Sequence, residues 1–185
     1  MRSILCCQYS SSASGNKDNI QYATQVLNID SPWKVQFESD IIKRGPADII
    51  TFNQLSDWSQ NDDMRIKYFS GTANYQSEFV LENIPDGKLY IDLGEVYVTA
   101  KVKINGQCVG GVWTAPYRVD ITEAVRIGKN DVEVEVVNTW INRILGDRKL
   151  PENERRVVTH TSPWRADAPL QKSGLLGPVR VLGIH

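Results

Sequence analysis

The dipeptide Asn105-Gly106 constrains this chain more than any other feature. It follows a stretch, residues 95–104, that alternates strictly, with Val96, Val98, Ala100, Val102 and Ile104 on one face. A type I′ turn needs two successive residues at positive φ, and Asn-Gly meets that need at the lowest steric cost. The spacing therefore predicts a β-hairpin with a two-residue loop. Such a loop pairs Ile104 with Gln107, Val102 with Val109, and Val98 with Trp113. Paired residues share a face, so Val109 and Trp113 are expected on the apolar side, with Cys108 beside Lys103 on the outside. Cys108 is thus expected to be a surface residue rather than a nucleophile.

The same period of two recurs along the chain. Trp33, Val35 and Phe37 share a face opposite Lys34, Gln36 and Glu38; Leu89, Ile91 and Leu93 oppose Lys88, Tyr90 and Asp92; and Val132, Val134 and Val136 oppose Glu133 and Glu135. Further strands are expected at 49–52, 75–81, 117–121 and 179–184, and the only helical hint is a short turn near 122–126. Many short strands, polar turns and no internal repeat place the chain in the all-β class, as an antiparallel jelly-roll β-sandwich of about eight strands. Residues 10–19, SSSASGNKDN, are small and polar and cannot bury a core. Residues 1–30 are accordingly expected to be a leader or linker remnant, and 31–185 the sandwich.

Composition removes several function classes. With 21 Lys plus Arg against 22 Asp plus Glu, the formal net charge is -1, which offers no electrostatic footprint for nucleic acid or an anionic membrane. No apolar run approaches the roughly 20 residues that span a bilayer. A (β/α)8 barrel typically takes about 250 residues, and this chain has 185, so such an enzyme does not fit within it. Three cysteines, Cys6, Cys7 and Cys108, and two histidines, His160 and His185, form neither a spaced zinc pattern nor a convergent histidine site. No cofactor is expected. Asp57, Asp62 and Asp63 are acidic loop residues of the kind that can hold calcium, but their spacing does not indicate it. The apolar stretch Ile4–Cys7 is too short for a signal-peptide core.

Function on a sandwich is sought in long loops. One connection, residues 138–178, separates the strand ending near Val137 from the last strand, and a link of that length is usually functional or disordered. It carries Trp140 and Trp164, Asn138 and Asn142, Arg143, Asp147 and Asp167. Planar aromatic faces beside hydrogen-bonding side chains suit sugars, which present an apolar C–H face and a ring of hydroxyls. Each residue also has a plainer reading. Trp140 continues the parity of Val132, Val134 and Val136 and can cap the core. Trp164 can anchor the loop, Arg143 and Asp147 can form a local i,i+4 ion pair, and His160 reads as a loop hydrogen-bond donor. No pair of carboxylates stands out as a glycosidase couple.

The hairpin and its surroundings resemble a known family. Residues 91–94, Val96, Ala100, Val102, Asn105-Gly106 and Gly110, followed by PYRVDIT at 116–122 and GKNDV at 128–132, resemble the sugar-binding domain of glycoside hydrolase family 2. IKYFSGTANY at 66–75, NTWINRILGD at 138–147 and SGLLGPVRV at 173–181 are similar to the C-terminal β-sandwich of family 106 α-L-rhamnosidase-like proteins. The resemblance implies a galactose-binding-domain-like sandwich, normally joined to a barrel that carries the catalytic carboxylates, in a periplasmic or secreted enzyme. It also implies that the segment 140–147 can reach toward a neighbouring active site. Since no barrel and no secretion signal are present, the chain is expected to be a fragment with no catalysis of its own. The expected role is carbohydrate binding, with Trp140 as a stacking platform, Asn142, Arg143 and Asp147 reading hydroxyls, and Trp164 lining or supporting the site. The alternative is a purely structural domain that packs on a missing catalytic barrel and binds no free sugar.

Overall fold

The computed structural model describes residues 23–157, 159, 164, 165 and 167–184. Among them, twelve strands run in chain order: β1 (Ala23–Asn28), β2 (Trp33–Phe37), β3 (Ile50–Phe52), β4 (Thr72–Leu81), β5 (Lys88–Asp92), β6 (Glu95–Tyr97), β7 (Thr99–Ile104), β8 (Gln107–Val112), β9 (Arg118–Asp120), β10 (Gly128–Val137), β11 (Gly174–Gly177) and β12 (Arg180–Ile184). Two short helices, α1 (Met64–Lys67) and α2 (Ile141–Arg148), interrupt them. A six-stranded sheet in the order β3-β2-β4-β10-β7-β8 faces a four-stranded sheet in the order β1-β12-β5-β9, and β6 pairs with β11. All the strand-to-strand ladders are antiparallel, so the expected antiparallel sandwich is the fold of this chain.

The period-two segments form the strands they predict. In β2, Trp33, Val35 and Phe37 are buried while Lys34 and Gln36 are exposed, and β10 buries Val132, Val134 and Val136. The centre of the core is aromatic. Phe37 meets Phe69 edge-on at 4.9 Å and Trp58 at 5.3 Å, and Trp58 stacks parallel to Tyr75 at 6.3 Å. The Tyr75 hydroxyl accepts hydrogen bonds from Trp58 Nε1 (2.6 Å) and from the Leu175 amide (3.2 Å). Burial pushes the Tyr75 hydroxyl well above the ordinary phenol range, so it stays a neutral partner for both donors.

Three expectations change. First, residues 23–28 lie inside the stretch expected as a leader, yet they form β1 on the free edge of β12, with Ala23 opposite Ile184 and Asn28 opposite Arg180. The side chains of β1 are mostly exposed, so backbone pairing places it and no alternating pattern advertises it. Second, the only helical hint in the sequence was near 122–126, yet the connection after β10 contains the eight-residue helix α2. Third, the hairpin register is shifted. Ile104 pairs with Gln107 and Lys103 with Cys108 as the turn predicts, but Val102 pairs with Gly110 rather than Val109, and Ala100 with Val112. Val109 is the extra residue of a β-bulge beside Gly110, whose φ is +149°. One inserted residue reverses the parity of everything beyond it, so Trp113 lies outside and is 72% exposed.

Candidate functional site

Four of the five sugar-site residues expected from the sequence, Trp140, Asn142, Arg143 and Asp147, lie on α2 or at its cap, and the structure divides them. Trp140 sits at the N-terminal cap of α2 and is 44% exposed. Asn142, Arg143 and Asp147, by contrast, are buried, exposed by only 2–4%. Their polar atoms are turned to the chain itself. The Asn142 amide clasps the backbone of Gln171 from both sides, its Nδ2 donating to the carbonyl (2.7 Å) and its Oδ1 accepting from the N–H (2.8 Å). Arg143 pairs with Asp147 one helical turn away, the local ion pair that the sequence left open. The other Asp147 oxygen accepts the amides of Arg156 and Val157, both at 2.8 Å. Burial raises the Asp147 carboxyl, but those two amides and the Arg143 guanidinium outweigh it and hold the group below the usual carboxylate range.

This arrangement ties together described parts of the long connection after β10. Asn142 ties α2 to the start of β11, and Asp147 ties it to residues 156–157. At the entry to the connection, Asn138 accepts from the Gly71 amide (2.9 Å) and donates to the Phe69 carbonyl (3.0 Å). The helix then lies against Tyr68 so closely that a side chain at Gly146 would meet the Tyr68 ring at 2.7 Å. Lys149 closes the contact with its ammonium 2.9 Å from the Tyr68 hydroxyl. Asn142, Arg143 and Asp147 therefore hold the connection, with their hydrogen-bonding atoms directed away from solvent. Trp164 is half-buried, and its carbonyl accepts from the Arg148 guanidinium. His160 lies outside the described residues.

Beside α2 opens a cleft of about 320 Å³ whose walls include Asp147, Arg148, Glu152 and Arg155. Trp140 is not among the residues that line it. Of the acidic loop residues, Asp57 accepts the amides of Ser59 (2.9 Å) and Ser173 (3.0 Å), and Asp63 caps α1 and pairs with Arg65. Both carboxylates thus shape loops. Sequence reasoning missed Asn138 as a clamp and Trp113 as an exposed aromatic. The signal for Trp113 was the Gly110-Gly111 pair inside a strand, which marks a bulge.

Comparison with known proteins places this geometry in a class. No protein-family model matches the chain. A curated protein of Formosa agariphila called "Putative beta-glucuronidase" is 36% identical over 191 residues, covering 86% of this chain and 16% of that protein. A solved rhamnosidase from Novosphingobium sp. PP1Y is 40% identical with a TM-score of 0.78, covering 88% of this chain and 15% of that one. A β-glucuronidase from Ruminococcus gnavus, 19% identical, shares the fold with a TM-score of 0.60 over 91% of this chain and 30% of its own. The chain is thus an antiparallel β-sandwich that corresponds to one segment of larger glycoside hydrolases. More particularly, its sequence is related to part of that curated protein and of the rhamnosidase, of which it spans only 16% and 15%.

Proposed function

We propose that the chain acts as a non-catalytic, carbohydrate-binding accessory domain of a longer rhamnosidase-type glycoside hydrolase, beside a catalytic barrel. The observation that carries this reading is the rigid mounting of Trp140. A buried network of Asn142, Arg143 and Asp147 fixes α2, and α2 presents an exposed indole at the position where the family resemblance puts a loop directed at a neighbouring site. Trp140 is the stacking platform, Asn142, Arg143 and Asp147 set its position, and Trp164 supports the same connection. Calorimetric titration with rhamnose- and galactose-containing oligosaccharides tests it. Binding by the parent chain, weakened about tenfold by Trp140→Ala, is expected from the loss of one aromatic stacking contact. Equal heats from both proteins remove Trp140 from the site.

A second reading is a structural domain that packs on the barrel and binds no free sugar. It is favoured by the exposure of Val137 (38%) close to Trp140 along the chain, since neighbouring exposed apolar side chains suit a domain contact. Silence toward every glycan at millimolar concentration selects this reading.

A further inference from the structure

The outer face of the six-stranded sheet is organised in rows that cross the strands. One row runs Gln36, Asn74, Glu135, Lys101 and Gly111, and the next runs Lys34, Gln76, Glu133, Lys103 and Cys108. Directly opposed side chains on such a face stand about 4.5–5.5 Å apart. The first row crosses four strand spacings of about 4.8 Å, or about 19 Å from Gln36 to Gly111. At its far end the bulge has turned Trp113 outward, two residues beyond Gly111. Gly111 carries no side chain, and a Cβ there would stand 3.1 Å from the Ala100 carbonyl, a tight contact. The floor beside the Trp113 indole is consequently open.

The polar groups of this face are only lightly engaged. Among the described residues, Asn74, Gln76, Lys101 and Glu135 have no side-chain hydrogen bond or ion pair, while Lys103 reaches Glu133 at 3.6 Å. Gln36 donates through its Nε2 to Ala47 (3.2 Å) and Phe37 (3.4 Å), and its carbonyl oxygen has no donor among the described residues. Charges alternate in sign along the rows, with Lys34, Lys101 and Lys103 against Glu133 and Glu135. That mixture is not complementary to a polyanion. It is complementary to an uncharged chain whose groups both donate and accept, with an apolar ring face for the indole at one end.

We propose that this sheet face is a second glycan-binding surface, taking a short, neutral, unbranched oligosaccharide laid across the strands from Gln36 to Trp113. Trp113 stacks on a terminal sugar ring over Gly111, and Lys101, Glu135, Asn74 and Gln36 bond successive hydroxyls. The inference does not rest on the α2 reading, because the two surfaces share no residue.

The test is titration of the full chain with cellohexaose, xylohexaose, mannohexaose and laminarihexaose, with heparin as a polyanion control. Binding of at least one neutral hexasaccharide is expected, together with about tenfold loss in Trp113→Ala. The doubly substituted Asn74→Ala/Lys101→Ala chain is expected to bind more weakly as well, and Trp140→Ala to bind this ligand as the parent does. The exposure of Trp113 leaves the fold of Trp113→Ala intact, which circular dichroism verifies. Absence of binding to all four hexasaccharides, unchanged affinity in Trp113→Ala, or loss only in Trp140→Ala overturns the proposal. So does sedimentation showing a dimer that Trp113→Ala dissolves, which would make the face a contact between copies of this chain.

Discussion

Removing Asp147 should cost more stability than removing its partner Arg143, although the two form one ion pair. In Asp147→Ala, the Arg143 guanidinium stays buried with no counter-charge, and its Nε already lacks a partner among the described residues. The amides of Arg156 and Val157 lose their acceptor at the same time. Breaking a buried pair from one side costs about 3–5 kcal/mol. For a domain of this size each kcal/mol moves Tm by roughly 2–4 °C, so a fall of roughly 6–20 °C is expected. In Arg143→Ala, the carboxylate keeps both backbone donors and the loss should be smaller. Differential scanning calorimetry of both variants at pH 7 measures the asymmetry. The pair also fixes a pH signature. Because the folded-state pKa of Asp147 is depressed, its contribution is complete above the unfolded value, near pH 4, and is lost as pH falls through the folded pKa. The Tm gap between the parent chain and Asp147→Asn should therefore shrink below about pH 4. Equal losses in Asp147→Ala and Arg143→Ala, or a gap that does not narrow in acid, would refute the assignment of Asp147 as the post that holds the connection.

Two further expectations concern the core. Tyr75→Phe removes the only oxygen shared by Trp58 Nε1 and the Leu175 amide, leaving two buried donors at about 1–3 kcal/mol each; urea unfolding should show a lower midpoint with an unchanged slope. Gly174 has φ +99°, and a Cβ there would stand 2.6 Å from the fully buried indole of Trp58, so Gly174→Ala should lose at least about 2 kcal/mol by the same assay. A midpoint within error of the parent's in either variant contradicts the packing described.

The alternating strands of the sandwich could be read from the chain because their signal is local. Period-two burial in β2, β7 and β10 depends only on which residues neighbour one another, and Asn105-Gly106 fixed the turn between β7 and β8 for the same reason. The i,i+4 relation of Arg143 and Asp147 was equally local. The residue types of the connection after β10 were also visible, and three of its polar side chains, Asn142, Arg143 and Asp147, bond to the chain itself. What the chain could not announce was decided at a distance. β1 exists because β12 offers an unpaired edge, and its own side chains are mostly in water. Asn142 and Asp147 face inward because Gln171, Arg156 and Val157 come to meet them, and no spacing distinguishes such a clamp from a hydroxyl reader. Trp113 faces outward because one bulged residue shifts its parity. A hydrophobic pattern records which residues can share a face, but the closing of a ladder decides which face that is.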